Sequence, residues 1–320
     1  MTFLRGLAVL FAGMLSICAV RAAEWPDRPV KIVVPFAAGG STDVTARLVA
    51  EVLTRRLGQQ FYVENRTGSN GLAGTEGALK SAPDGYTILV APDSTVSNPH
   101  VYKANYDPLT DLIPVVQLTR QPIVLAVHPS LGVTNLQELI AKVKVEPGLR
   151  YGTGSGFGSG QHMVAQWFAK LAGIELEQVS YRGGGQAITD LVAGHIKLGS
   201  LGSTPLIPFH RDGKLLMIAQ TTASRAPSLP DVPTFGEGGV KDLVIEQWLG
   251  VFLPVGTPPV IAARLNAEIN TALADPSIRA KLDQLAQEPV GGTPETMAKL
   301  LQVDFEKYGR LARELNVRVN

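Results

Sequence analysis

The chain has 320 residues, with 29 basic and 28 acidic side chains and a formal net charge of +1. This balance, without a run of basic residues, argues against nucleic acids and anionic membranes as partners. Cys18 is the one cysteine, so an intramolecular disulfide and a multi-thiolate metal site are excluded.

The first 23 residues have the features of a secretory signal peptide. A basic residue precedes an apolar run at 6–20, and the small residues Val20 and Ala22 occupy positions −3 and −1 of a cleavage site. The run is shorter than the roughly 20 residues that a membrane-spanning helix needs. We therefore expect an exported, soluble protein. Cleavage removes Cys18, so the mature chain has no cysteine nucleophile.

Apolar runs of strand length alternate with amphipathic segments along the rest of the chain. Strands are predicted at 30–34, 61–65, 86–91, 123–127, 176–181, 196–201 and 215–220. Helices are predicted at 43–57, 135–145, 160–172, 184–193, 259–274 and near 294–314. The alternation predicts an α/β fold in which helices cover a parallel or mixed sheet.

Two long extended runs predict crossings between two lobes. One is 114–130, which is bracketed by prolines, and the other is 246–259, which ends in Thr-Pro-Pro. With a hinge at these crossings and a central cleft, lobe 1 comprises 24–122 plus 248–320 and lobe 2 comprises 123–247. A single doubly wound sheet is the alternative that this rhythm leaves open.

A glycine-rich loop, 35-PFAAGGSTDVTAR-47, joins the first predicted strand to the first predicted helix. The N-terminus of a helix has unpaired backbone N–H groups and a partial positive charge, so it attracts anions. The loop lacks the lysine of a P-loop and the G-x-G-x-x-G spacing of a dinucleotide site. A carboxylate fits the features that remain. Helix capping by Ser41, Thr42 or Asp43 is the structural alternative.

A second glycine-rich loop, 152-GTGSGFGSGQHM-163, repeats this arrangement in the other predicted lobe. Two such helix N-termini, facing each other across a cleft, would each bind one end of a small diacid. A flexible turn is the alternative. The glycine clusters at 65–77 and 182–187 predict turns that open helices, and the neighbouring Arg66 and Arg182 add charge if they face the cleft.

Acid–base chemistry has little support in the sequence. The five histidines show no i, i+3 or i, i+4 spacing of a metal site. We expect Asp43 to close the first turn of its helix or to accept an ammonium group. A serine hydrolase using Ser155 or Ser159 with His162 is the enzyme alternative, but it lacks an acid partner and a G-x-S-x-G motif.

Several separately spaced motifs together carry a family resemblance. They lie at 29–51, 63–77, 83–90, 106–115, 151–173, 180–198, 228–239 and 257–269. Their order resembles the Bug family, the periplasmic solute-binding proteins of tripartite tricarboxylate transporters. The resemblance extends over nearly the whole mature chain. It implies a two-lobed type II periplasmic-binding-protein fold, a periplasmic location, and neither catalysis nor a cofactor.

The resemblance also implies the ligand and the partners. The expected ligand is a small carboxylate: a di- or tricarboxylate, an acidic amino acid or an aromatic acid. The expected partners are membrane subunits similar to TctA and TctB, and the expected receptor is a monomer. A sensor that presents its ligand to a signalling protein is the alternative.

In the family, the loop after the first strand and the glycine-rich loop of the second lobe bind the ligand, largely through backbone N–H groups and ordered water. With two further stretches that line the cleft, the residues carried over are Phe36, Ala38, Gly39, Gly40, Ser41, Thr42, Asp43, Ser94, Thr95, Ser155, Gly156, Phe157, Gly158, Gly160, Gln161, His162, Ser203 and Thr204. Many relatives have proline at the position of Ala38 and fewer glycines at 154–160. Phe157 predicts an apolar or aromatic ligand body.

Overall fold

The computed structural model describes residues 25–319. The predicted signal peptide, residues 1–23, therefore lies outside the described residues. The strands are β1 (Val30–Val34), β2 (Phe61–Asn65), β3 (Thr87–Pro92), β4 (Leu112–Val127), β5 (Leu149–Thr153), β6 (Leu176–Ser180), β7 (Leu198–Gly202), β8 (Leu216–Gln220), β9 (Glu246–Pro254) and β10 (Glu288–Gly291). The helices are α1 (Ser41–Leu57), α2 (Leu72–Leu79), α3 (Ser94–Val101), α4 (Leu136–Val145), α5 (Gly160–Ala172), α6 (Gly184–Val192), α7 (Ile207–Arg211), α8 (Pro259–Ala274), α9 (Pro276–Gln284) and α10 (Pro294–Glu314).

The strands follow the order β2-β1-β3-β9-β4-β7-β5-β6, and this path changes character at β4. The first part of β4 pairs antiparallel with β9 and β10, while its last five residues, 123–127, pair antiparallel with β7, and most of them also pair with β8. We call the β4–β9 side, with β1, β2, β3 and β10, lobe 1. We call the side with β5, β6, β7 and β8 lobe 2. The chain passes between the lobes along β4 and returns into β9.

Parallel pairing dominates the outer part of each lobe. In lobe 1, β1 pairs parallel with both β2 and β3, and in lobe 2, β5 pairs parallel with both β6 and β7. The strand β1 reads VKIVV and is almost wholly buried, as expected for a β-branched strand covered on both faces. Because ligands of such sheets bind beyond the carboxyl ends of parallel strands, the loops after β1 and β5 are placed for binding.

Apolar packing links the two lobes as well as filling each one. One buried cluster extends from Val33 and Trp248 in lobe 1, through Ile123 in β4, to Phe168 and Phe235 in lobe 2. Two further clusters lie on the outer faces of lobe 1 and lobe 2. The hinge region is therefore part of a continuous apolar core that extends into both lobes.

Most predicted elements agree with the structure to within a few residues, and the exceptions have physical causes. The predicted run at 114–130 corresponds to one long strand, β4, which begins two residues earlier at Leu112, ends at Val127 and contains two prolines. Helix α3 was not predicted, because it contains Pro99 and several β-branched residues of low helix propensity. Its packing against α10 outweighs that local preference. Among residues 25–319, no helix is both long enough and apolar enough to cross a membrane.

Candidate ligand-binding cleft

The loop between β1 and α1 is held by Asp43. Its carboxylate accepts hydrogen bonds from the Gly39 backbone N–H at 3.1 Å, from Arg47 Nε at 3.0 Å and from Asn65 Nδ2 at 2.9 Å. Burial opposes ionisation, but these bonds outweigh it and hold the pKa of Asp43 below its usual value. The carboxylate therefore closes the first turn of α1, which is the first of the two roles expected for it.

The N-terminus of α1 faces the N-terminus of α6. The Ala37 N–H donates to the Arg182 carbonyl at 3.3 Å, which joins the two lobes through their backbones. A Cβ added to Gly183 would lie 2.5 Å from Ala37 Cβ, and a Cβ on Gly185 would lie 2.7 Å from the Ala38 carbonyl oxygen. Glycine is required at these positions because the two backbones touch. The sequence suggested that α1 and α5 face each other, whereas the structure places 182–185 opposite this loop.

The loop between β5 and α5 is capped by its own side chains. Ser159 Oγ accepts from the His162 backbone N–H at 3.1 Å and donates to the Gly156 carbonyl at 2.8 Å. His162 Nδ1 accepts from the Gly158 N–H at 3.2 Å, and the ring lies 4.5 Å from that of Phe157. Burial lowers the pKa of His162 to about 4, so the imidazole is neutral near pH 7. Ser159 and His162, which were considered as a hydrolase pair, thus both form hydrogen bonds within this loop.

Side chains of lobe 1 bind this loop of lobe 2 directly. The Tyr102 hydroxyl donates to the Phe157 carbonyl at 2.6 Å, and Ser97 Oγ donates to the Gly158 carbonyl at 3.1 Å. Both donors come from α3 or the residue that follows it. Together with the contact between Ala37 and Arg182, they show that the cleft is closed in this conformation.

A cavity of about 240 Å³ lies between the two loops. Its lining residues come from both lobes and are Phe36, Gly68, Ser69, Asn70, Gly71, Tyr102, Ser155, Gly156, Phe157, Ser180, Tyr181 and Arg182. Four of them are aromatic, and the one charged residue among them is Arg182. An aromatic wall with a few polar groups is the usual composition of a small-molecule site.

Four of the predicted ligand-binding residues line this cavity: Phe36, Ser155, Gly156 and Phe157. Sequence reasoning missed Tyr102, Asn70 and Tyr181. The available signal for Asn70 was the glycine cluster at 65–77, which builds a turn where Asn70 has a φ of +54°. Tyr102 and Tyr181 gave no signal, because nothing local distinguishes a cavity tyrosine from a core one.

Of the remaining predicted residues, Ala38 and Gly39 are exposed and the others are buried, and several of the buried ones bond to the protein. Thr95 Oγ1 donates to the Pro92 carbonyl at 2.8 Å, and Gln161 Oε1 accepts from the Gly154 N–H at 2.9 Å. Ser203 Oγ is fully buried and has no hydrogen-bond partner among the described residues. Ser203 does not line the cavity between the two loops.

A buried amide network occupies the hinge. Gln287 Nε2 donates to Thr204 Oγ1 at 2.7 Å and to Gln121 Oε1 at 2.9 Å, and Thr204 Oγ1 also donates to Gln121. Thr204 belongs to lobe 2, whereas Gln121 lies within β4 and Gln287 directly precedes β10 in lobe 1. A groove of about 570 Å³ runs along the same hinge, where Arg120 pairs with Glu246 and Glu288.

Asp93 is a fully buried carboxyl at the lobe junction. Tyr308 donates a hydrogen bond to it, and a Cβ on Gly160, at the N-terminus of α5, would collide with its Oδ2. Burial raises the pKa of Asp93 to about 6. The hydrogen bond from Tyr308 lowers this pKa, whereas the negative charge of nearby Asp304 raises it further.

This shifted acid predicts a pH dependence of stability. Between about pH 4 and pH 6 Asp93 is protonated to a greater extent in the folded state than in the unfolded state, so its contribution to the free energy of unfolding falls as pH rises. We expect Asp93→Asn to remove that fall, on the order of 1–2 kcal/mol. Urea unfolding of both proteins at several pH values between 4 and 7 measures it. Parallel pH profiles for the two proteins would contradict the assignment.

The described residues contain no group of three or more His, Cys, Asp or Glu side chains that could hold a metal ion. The polar groups among the residues that line the cavity are hydroxyls, backbone groups, the amide of Asn70 and one arginine. These groups suit an anionic or neutral small molecule.

Comparison with known proteins identifies the family. Residues 45–317 match the model of the tripartite tricarboxylate transporter family receptor, TctC. BugT of Bordetella pertussis is 33% identical over 324 residues, which cover 100% of this chain and 99% of BugT. Rpa4515 of R. palustris, solved with adipate, is 33% identical with a TM-score of 0.89, over 92% of this chain and 100% of that one. MatC of Rhodopseudomonas palustris, solved with bound malate, is 30% identical with a TM-score of 0.84, over 90% of this chain and 99% of MatC.

These similarities confirm the two predictions that concern family and fold. The backbone is the two-lobed α/β fold of periplasmic binding proteins, in which a hinge joins two lobes around a central cleft. Both the family and the fold are those of solute-binding proteins rather than enzymes. The chain therefore belongs to the TctC or Bug family of periplasmic solute-binding receptors.

Proposed function

We propose that this protein binds a small carboxylate in the periplasm and delivers it to membrane subunits similar to TctA and TctB. The cavity between the lobes carries the proposal, because it combines aromatic walls with a single charged residue, which is an arginine. Two solved relatives, Rpa4515 and MatC, contain adipate and malate, and both ligands are dicarboxylates.

Ligand capture would use closure of the two lobes. The bonds from Ala37, Ser97 and Tyr102 to lobe 2 hold the closed form, and opening breaks all three. We place the lobe boundaries at 24–122 plus 248–320 and at 123–247, so that rotation occurs where β4 and β9 cross. Closure around a ligand is the common motion of such receptors, and the closed surface is what a membrane partner would recognise.

The charges of the cleft favour an anion. Asp43 is neutralised by Arg47, and His162 is uncharged near pH 7. The N-termini of α1, α5 and α6 converge on the lobe junction, and their partial positive charges add to that of Arg182. Ionised carboxylates are therefore attracted, while cationic solutes find no free carboxylate among the residues that line the cavity.

A binding screen tests this function. We expect thermal unfolding of the mature protein, as a monomer without residues 1–23, to shift upwards with at least one di- or tricarboxylate, acidic amino acid or aromatic acid. Binding to the folded state alone stabilises by about 2.7 kcal/mol at 100 times Kd. Isothermal titration calorimetry then gives the affinity. If an uncharged solute binds and no carboxylate does, the proposed function is wrong.

A further inference from the structure

Arg182 is the one charged residue that lines the cavity between the lobes. Its side chain is exposed, and it forms no ion pair with any residue of 25–319. The other arginine that the sequence placed near the cleft, Arg66, pairs with Glu64 and does not line the cavity. Arg182 is therefore a guanidinium that is free to bind a ligand.

The backbone of Arg182 contacts the other lobe. Its carbonyl accepts from the Ala37 N–H at 3.3 Å, and the next residue, Gly183, packs against Ala37. The neighbouring Tyr181 hydroxyl donates to Asp190 at 2.7 Å, which holds this side of the cavity in place. Arg182 thus both lines the cavity and takes part in the contact that joins the two lobes.

Two further polar groups of the cavity lie on other segments of the chain. The hydroxyls of Ser69 and Ser155 line it and have no hydrogen-bond partner among the described residues. Ser69 belongs to the turn before α2, and Ser155 belongs to the loop before α5, whereas Arg182 follows β6. The rings of Phe36, Tyr102 and Phe157 line the same cavity.

From this arrangement we infer that Arg182 binds the second carboxylate of a dicarboxylic acid. The apolar chain or ring of the ligand lies against the aromatic walls, and its first carboxylate is bound by neutral donors, the serine hydroxyls and backbone N–H groups. The inference rests on the proposed function and narrows it to diacids with an apolar spacer. A guanidinium suits this role because its planar fork of N–H donors matches a carboxylate.

Matched pairs of ligands test the role of Arg182. The probes are the straight-chain dicarboxylates from succinate to suberate with the monocarboxylates of equal length, and terephthalate with benzoate. We expect the wild type to bind at least one dicarboxylate about 10-fold to 100-fold more tightly than its monocarboxylate, as charge-assisted hydrogen bonds predict. In Arg182→Met that ratio should fall to near one while monocarboxylate affinity stays within about twofold. Arg182→Lys should keep part of the ratio.

Arg211→Met is the control, because Arg211 is an exposed arginine of lobe 2 outside the cavity. Equal thermal unfolding midpoints of the unliganded proteins establish that each variant is folded. If Arg182→Met weakens both members of a pair equally, or neither, the second-carboxylate role is wrong although the receptor still binds carboxylates. If the wild type binds none of the probes, the narrowed ligand class is wrong, and the wider screen decides the proposed function.

Discussion

Gly183→Ser should weaken binding of the carboxylate ligand by about 10-fold to 100-fold and leave folding nearly unchanged. A Cβ at this position would lie 2.5 Å from Ala37 Cβ, so the two lobes cannot close fully. Overpacking of this kind costs about 1–3 kcal/mol, which corresponds to that loss of affinity. Gly183 has an extended backbone with φ −176°, which serine adopts readily, and serine also suits its position as the N-cap of α6.

Two controls separate this contact from other effects. Gly236→Ser adds the same side chain to lobe 2 where the nearest atom would be 3.7 Å away, and it should leave affinity unchanged. The second substitution Ala37→Gly, made in Gly183→Ser, removes the colliding methyl group and should restore part of the affinity. Titration calorimetry measures all four proteins. Wild-type affinity in Gly183→Ser would show that this contact is absent from the ligand-bound form.

Asp43→Ala should lower the free energy of unfolding by about 2–4 kcal/mol, because it removes a buried carboxylate that accepts hydrogen bonds from three residues. The Gly39 N–H loses this acceptor, Arg47 and Asn65 each lose one of their hydrogen bonds, and Asp43 is only 3% exposed. Urea unfolding at pH 7 measures the loss. Asp212→Ala is the control, since Asp212 is an exposed residue paired with Lys214 and should cost well under 1 kcal/mol.

The effect of Asp43 should depend on pH with a defined sign. Its pKa is lower in the folded state than the ordinary value of 3.8, so the folded state binds fewer protons. The stabilisation is then complete above the unfolded pKa and is lost as pH falls through the folded pKa. The difference between wild type and Asp43→Ala should therefore shrink below about pH 4. A difference that stays constant down to pH 3 would contradict a role for the ionised carboxylate.

The local elements were predictable because their signals are local. The helix at 160–172 and the strand at 30–34 have the predicted bounds, since periodicity and glycine positions determine them. Helix α3 was missed, because its stability comes from packing against α10, far away in the chain. The same reason explains why Tyr102, which follows α3, was not recognised as a cavity residue.

The candidate site likewise has features that the sequence determines and features that depend on the tertiary structure. Glycine, serine and threonine at the start of α1 and α5 indicate helix N-termini that favour anions, and the amino-acid sequence determines that chemistry without any contact. Which N-termini meet is a tertiary property. The structure brings α1 against α6, because Gly183, Gly184 and Gly185 have no side chains to hold their backbone away from Ala37 and Ala38. Sequence patterns indicate which secondary structure each segment forms. Which segments face each other depends on the hinge that β4 and β9 form.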